Sequence, residues 1–397
     1  MTSPKHPRLA LRPGAHRRVK SGHPWVFSNE VAFDQAAKSL PAGSVVTLTD
    51  AGGAILGTAH FNPHTLIAAR LLSLQGDTPI DAAFFAGRLG NAMALRDRLF
   101  PQPFYRLVHA EADGLPGLVI DRFNDICVVQ PNTAGMQANL DAIVEGLAQT
   151  VKPRAVVMRG DSSARTLEGL AEESKVIAGT LEGSVPVEEN GARFQADLIG
   201  GQKTGWFFDQ RDNRAFMAGL SHGMTVVDMY THTGGFAIEA AKAGAKSVLA
   251  VDRSQHALDL AAKAAADNGV GDRVSTQRSD VYGFLEDAVA KQQRWQVVIA
   301  DPPAFVKSKK DLKAGLQGYR KLARLSATVT APGGILFVAS CSHNAPVDEF
   351  TAAVARGLED AGRHGRIIRS AGAAADHPVH PMLPESAYLK AVVLALD

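Results

Sequence analysis

"VVDMYTHTGGFAIEAA" runs from Val226 to Ala241 and reads as strand, glycine turn, helix. Val226–Tyr230 is apolar around a single aspartate, Asp228. Gly234-Gly235 supply a turn at which backbone can approach a ligand closely, and the following helix opens with free N–H groups. The spacing is not G-x-G-x-x-G, which argues against a dinucleotide site. From Thr225 onward the chain keeps alternating in this way. "TVVDMY", "SVLAVD", "RVSTQRSD", "WQVVIAD" and "ILFVAS" read as strands. Helical stretches separate them, such as "SQHALDLAAKAAADNG", with Ser254 as N-cap and Gly269 just past the end. "RIIRSAG" and "AYLKAVVLAL" add two last strands. The alternation predicts an α/β fold with a doubly wound, mostly parallel sheet, whose ligands bind beyond the carboxyl ends of the strands.

Five residues stand at or just past those ends: Asp228, Asp252, Asp280, Asp301 and Cys341. Asp252 follows the glycine turn by about 20 residues, where a carboxylate can accept both hydroxyls of a ribose. Asp280 and the N–H of Val281 follow the third strand, in position to pair with an adenine edge. Thr231 and Thr233 in the turn, and Arg253 beside Asp252, complete this set. Any one aspartate alone reads equally well as a helix cap or turn residue. Four at successive strand ends favour a nucleoside pocket. At the fourth end, "ADPPAF" carries Pro302 and Pro303, which fix φ and donate no N–H. Such a rigid turn aims Asp301 and nearby carbonyls at a planar base; a simple loop stiffener is the alternative.

Upstream, residues up to 75 read as short strands punctuated by glycine: "SVVTLTD", "AILGTAHF" and "LIAARLL". This is a small barrel-like module. Ile80–Leu99 has helical periodicity, "GLVIDRFNDICVVQ" reads as a hairpin turning at Phe123–Asp125, a helix is expected over Met136–Thr150, and "AVVMRG" is a strand. Asn190-Gly191 between "VPVEE" and "RFQADL" signals a type I′ hairpin. The expected divisions are 1–75, 76–190 and 191–397.

Composition excludes several classes. Apolar residues make up 46% and charged residues 21%, as in ordinary globular proteins. No apolar run approaches the ~18 residues that span a bilayer, so no membrane partner is expected. The basic start lacks an apolar segment of the kind that marks a signal peptide. Two cysteines, far apart, suit a reducing cytoplasm rather than a disulfide scaffold. The net charge of +2 decides nothing, but its distribution does. Lys5, Arg8, Arg12, Arg17, Arg18 and Lys20 all precede the first acid, Glu30, which points to a polyanionic partner.

With an adenosine-type pocket, D-P-P after strand four and "SCS" (Ser340–Ser342) after strand five, the chain resembles class I S-adenosylmethionine-dependent methyltransferases. More closely, it resembles the bacterial 23S rRNA large-subunit methyltransferase I family, which makes 5-methylcytosine. The resemblance spans nearly the whole length. It is carried by "DGLPGLVIDRF" (Asp113–Phe123), "GQKTGWFFDQRDNR" (Gly201–Arg214), "HTGGFA", "DPPAFVKSKKDL", "SCS" and "DHPVHPMLPESAYLK". It implies an N-terminal PUA β-barrel that binds RNA, a central α+β domain and a Rossmann-like methyltransferase domain. S-adenosyl-L-methionine is the implied cofactor, and no metal is implied. RNA, 23S rRNA in particular, is the implied partner, and a homodimer is left open. Family members usually carry Ser-Tyr before T-G-G, whereas this chain has Thr231-His232.

The resemblance also gives the cysteine a role. C5 of cytosine is a poor nucleophile until a thiolate adds to C6. Cys341 is the implied thiolate and Asp301 the implied acid at N3. Read without the resemblance, a lone cysteine is more often a buried, inert one, and Cys127 in "ICVV" keeps that reading. Pro303 stands where many RNA cytosine-5 methyltransferases carry a second cysteine, so another base must release the product. His343 reads as an exposed loop residue. Asp209 is expected to cap the next helix, and Gln210 and Arg211 to face the cofactor. Lys307, Lys309, Lys310, Lys313, Arg320, Lys321 and Arg324 follow the base-binding turn and suit phosphates. Arg17, Arg18 and Lys20 with Trp25 and Phe27 form a second basic-aromatic region. Two other readings stay open: methylation of a guanine nitrogen, which needs no thiol, and a non-catalytic RNA-binding or assembly factor.

Overall fold

The computed structural model describes residues 5–201 and 204–397; Gln202 and Lys203 of the "GQKTGW" stretch lie outside the described residues. The chain forms two compact units. The first holds Met1–Gly183 with Asp197–Trp206 and Asp376–Pro384. The second holds Ser184–Ala196, Phe207–Ala375 and Glu385–Asp397. The Asn190 hairpin falls in the second unit, where side chains of that unit bind it.

In the first unit, β1 (Arg8–Ala10), β2 (Trp25–Phe27), β3 (Ser44–Thr49), β4 (Ile55–Phe61) and β5 (Ile67–Ser73) form one sheet in the order β1-β3-β4-β5-β2. Backbone bonds from Arg12 N–H to Glu30 O and from Ala32 N–H to Ala10 O join the segments beyond the two edge strands. Those bonds curl the sheet into a barrel over Leu9, Val26, Val46, Leu48 and Phe61. A second sheet runs β10-β9-β8-β7-β6, from β6 (Phe104–His109), β7 (Leu118–Phe123), β8 (Ile126–Pro131), β9 (Ala155–Arg159) and β10 (Ser174–Gly179). Helices Ala82–Leu99 and Leu140–Thr150 share its core.

The helix expected over Met136–Thr150 is in fact two, Ala134–Ala138 and Leu140–Thr150. At Asn139, between them, ψ swings to 17°. Its side-chain amide donates to Gly135 O at 2.8 Å and lies 3.2 Å from His60 Nε2 on β4. That tertiary bond breaks a periodic pattern.

The second unit carries a hairpin, β11 (Val185–Glu189) and β12 (Ala192–Ala196), turning through Asn190 and Gly191 with φ of 50° and 75°. Two positive φ values are what a type I′ turn requires. Its main sheet runs β15-β14-β13-β16-β17-β19-β18. The strands are β13 (Thr225–Met229), β14 (Ser247–Asp252), β15 (Val274–Arg278), β16 (Trp295–Ala300), β17 (Thr330–Ser340), β18 (Gly365–Ala371) and β19 (Lys390–Leu396). The first five in chain order are parallel neighbours, and β19 pairs antiparallel with both β17 and β18. The sheet order reverses between β13 and β16, which makes their carboxyl ends the topological switch point. β17 starts earlier than "ILFVAS" predicts. Thr330 already pairs with Trp295, and Ala331–Gly334 bulge out before pairing resumes at Ile335.

Candidate active site

Past the end of β13 the backbone coils tightly. Tyr230 and His232 take φ of 62° and 53°, a region that side chains with a Cβ seldom occupy. Two carboxylates hold this coil. Asp228 Oδ2 accepts the Thr231 hydroxyl at 2.5 Å and the Ala237 N–H at 3.0 Å. Asp252, at the end of β14, accepts the His232 N–H at 3.0 Å and the Ser254 N–H at 2.9 Å. The His232 ring meets the Phe207 ring edge-on, and Thr233 is buried beside it.

Asp228 is buried, and its other oxygen, Oδ1, has no hydrogen-bond partner. Burial pushes its pKa up to about 7, with the hydrogen bonds from Thr231 and Ala237 opposing and the Asp301 charge adding to the rise. A buried, unpaired carboxylate oxygen at the switch point is an acceptor waiting for a donor or a cation.

The two glycines have different reasons to be glycine. Gly234 has φ of 87°. At Gly235 a Cβ would sit 2.4 Å from Arg214 Nε. At Gly235, then, a protein side chain makes a close approach to the backbone.

Of the two residues expected to face the cofactor, Gln210 is buried beside Asn213 and Arg211 sits in a buried polar network with the β11–β12 hairpin. Gln210 Oε1 accepts from Asn213 at 2.7 Å. Arg211 lies 3.7 Å from Glu189 and over the Phe208 ring. Arg214 donates to Glu189 at 2.5 Å. Asn190 donates to the Arg211 carbonyl and to both oxygens of Glu239, whose pKa burial lifts to about 8, the Glu189 charge adding to it. Asp209 does not cap the helix Arg211–Gly219; it is buried and accepts the Tyr388 hydroxyl.

Past the end of β15, Asp280 caps its helix, accepting from Gly283 N–H at 3.1 Å ahead of the buried Val281. Asp280 and Arg253 are both exposed. β15 is exposed along most of its length, so this part of the expected adenine site is open.

Cys341 follows β17 and is half-buried. Its Sγ lies 4.0 Å from the carbonyl of Pro302, which is buried at the end of β16 just past Asp301. The two flanking serines are fully buried and share the Tyr319 hydroxyl, each at 2.8 Å. Ser342 Oγ also accepts the Val306 N–H at 3.1 Å. Tyr319 thereby ties the cysteine turn to the D-P-P turn. Lys390, at the start of β19, donates to the carbonyls of Ser342 and Ala345 at 2.6 Å each. His343 is exposed and stacks on Tyr388. Cys127, by contrast, is fully buried, and burial drives its thiol up to about 12. The serines framing Cys341, and a lysine inside an otherwise apolar strand, were the signals in the sequence that could have found this network.

Among the basic residues, Lys307, Lys309 and Lys310 are exposed. Arg320 and Lys321 pair with Asp360 at 2.6 Å and Glu286 at 2.9 Å. In the first unit Arg17 is exposed, Arg18 lies over the Phe27 ring and 3.4 Å from Glu30, and Lys20 is 3.8 Å from Asp50. Trp25 donates its indole N–H to Glu111 at 2.8 Å. No helix among the described residues is long and apolar enough to cross a membrane.

Comparison with known proteins places the chain in a family. Residues 9–74 match a PUA-like domain, and residues 166–394 match the S-adenosylmethionine-dependent methyltransferase family. Ribosomal RNA large subunit methyltransferase I of Shewanella denitrificans is 36% identical over 395 residues, covering 97% of this chain and 98% of that protein. The protein of the same name from Salmonella arizonae is 35% identical over 394 residues, covering 98% and 97%. The crystal structure of SMU.776, a methyltransferase complexed with SAH, superposes with a TM-score of 0.83 at 20% identity, over 98% of this chain and 100% of that one.

Fold and site together define an S-adenosylmethionine-dependent methyltransferase with a PUA-like domain. Within that class, the chain belongs to the ribosomal RNA large subunit methyltransferase I family. Its cofactor is S-adenosylmethionine. The residues fit that group, since the orphaned Asp228 Oδ1 is a buried acceptor of the kind that a cofactor with sulfonium and ammonium charge would satisfy.

Proposed function

We propose that this enzyme methylates C5 of a cytosine in large-subunit ribosomal RNA, with Cys341 as covalent nucleophile. The observation that carries this reading is the half-buried thiol at the end of β17, 4.0 Å from the rigid D-P-P turn. Asp252 would hold the ribose of the cofactor, Asp280 and Val281 its adenine, and Asp228, Thr231 and Thr233 the charged end of the pocket. Bound S-adenosylmethionine supplies an electrophilic methyl group.

The Cys341 thiolate adds to C6, and Asp301 protonates or hydrogen-bonds N3, so that C5 gains electron density. Once C5 has been methylated, a base takes the C5 proton and the C6–S bond breaks, returning the thiolate. The RNA phosphates would lie on Lys307, Lys309 and Lys310 in one unit and on Arg17, Arg18 and Lys20, with Trp25, in the other. In this reading residues 1–75 bind RNA, 76–190 form a central domain and 191–397 carry the chemistry in the cytoplasm. Light scattering decides between monomer and homodimer.

Ribosomal RNA transcribed with 5-fluorocytidine tests the mechanism, because fluorine at C5 cannot leave as the proton does. The native enzyme with cofactor should form a denaturant-resistant RNA adduct, and Cys341→Ala should not. A Cys341→Ala enzyme that still methylates C5 at near-native rate would overturn the covalent role. An N-methylguanine product from the native enzyme would overturn the cytosine reading altogether.

A further inference from the structure

Lys390 is a cation inside a sheet. It is about 5% exposed, paired in register with Ser340, one residue before Cys341. Two of its three protons go to the Ser342 and Ala345 carbonyls, at 2.6 Å each. Ser342 directly follows Cys341, and Ala345, four residues past the cysteine, closes the turn with its N–H on the Ser342 carbonyl. No carboxylate pairs with Lys390 among the described residues. A buried ammonium held only by carbonyls keeps its full charge uncompensated, which is costly unless an anion forms nearby.

We infer that Lys390 is a positioning and activating residue for Cys341: it fixes the S-C-S turn through two carbonyls and stabilises the thiolate with its charge. The inference rests on the proposed role of Cys341 and deepens it. Burial lowers the pKa of Lys390, while Cys341 is the one charged partner that opposes the drop. The same interaction, read from the sulfur, favours thiolate. Other titratable groups border this turn. Tyr319 from the helix Leu312–Val329 accepts from Ser340 and bonds Ser342, and burial raises its pKa, so it stays neutral. Asp301 ends the neighbouring strand and opposes a thiolate, and His343 stacks away on Tyr388. Lys390 is thus the built-in cation of the group, present before any RNA arrives. A thiolate formed in advance removes the need for a separate base to activate the cysteine.

The test is the pH profile of Cys341 alkylation by iodoacetamide in the full-length free enzyme, with peptide mass spectrometry separating Cys341 from Cys127. The native profile should give an apparent thiol pKa at least one unit below the ordinary ~8.5. Lys390→Gln should move it up by about a unit or more, slowing alkylation roughly tenfold at pH 7 while rates converge at high pH. Lys390→Arg should keep the low value, and cofactor affinity should be unchanged in both. A native pKa at or above ~8.5 overturns the inference, and that measurement stands even if Lys390→Gln does not fold. Superimposable native and Lys390→Gln profiles overturn it as well. Failure of the fluorocytidine trap with a low, Lys390-dependent thiol pKa would remove the nucleophile role and leave the coupling intact.

Discussion

The Arg214 guanidinium donates to Glu189 at 2.5 Å in a pair whose side chains are 6% and 0% exposed, and its other side lies against Gly235. This single arginine links the β11–β12 hairpin to the first turn of the cofactor-side helix Gly235–Lys242. Removing one member of a buried pair leaves an uncompensated charge, costing about 3–5 kcal/mol. Arg214→Met should lower stability by that order in urea titration. Gly235→Ala should also destabilise, because its Cβ displaces the guanidinium. An Arg214→Met enzyme of native stability would show that Arg211 alone suffices for Glu189.

The carboxyl of Asp228 has a folded-state pKa of about 7, above the ordinary 3.8. Between those values the native state keeps a proton that the unfolded chain has released. Stability from this group is therefore full below pH 4 and is lost as pH rises toward 7, with no further change above. The total is at most about 4 kcal/mol. Glu239 acts with the same sign, so the difference between native and Asp228→Asn isolates the effect. Denaturant midpoints of Asp228→Asn should fall less steeply from pH 4 to 7. Parallel curves would refute it.

Asp252 holds the His232 and Ser254 backbone from the end of β14. Asp252→Ala should weaken S-adenosylhomocysteine binding by about 10- to 100-fold, since hydrogen bonds to a charged acceptor contribute about 1.5–3 kcal/mol each. Isothermal calorimetry checks this, and unchanged affinity would move the ribose elsewhere.

RNA affinity should fall steeply with salt. Lys309→Ala and Lys310→Ala should each reduce the slope of log K against log salt by about 0.7–0.9. Arg320→Ala should leave the slope unchanged, because Asp360 already neutralises that guanidinium. Filter binding or fluorescence anisotropy across a salt series separates the two cases, and an equal slope for all three variants would contradict the assignment.

The strands of the methyltransferase sheet were legible in the sequence for a simple reason. Parallel strands buried on both faces, such as Val297–Ala300, read as apolar runs, and caps such as Ser254 and turn pairs such as Asn190-Gly191 act over a few residues. The same locality placed Asp228, Asp252, Asp301 and Cys341 at strand ends. What lay beyond reach depends on partners distant in sequence. Asn139 bonds across to His60 where its helix breaks, and Arg320 pairs with Asp360. A Cβ at Gly235 would meet Arg214, and Arg211 joins a hairpin network. The surroundings of Cys341 come from Pro302, Tyr319 and Lys390, brought together from three separate segments. The sequence by itself determined which residue types stand at which strand end, since that depends on local periodicity and turns. Only the tertiary structure decided which of those groups are paired, buried or left with an unmet charge, because burial and Coulomb energy depend on distances that chain order does not contain.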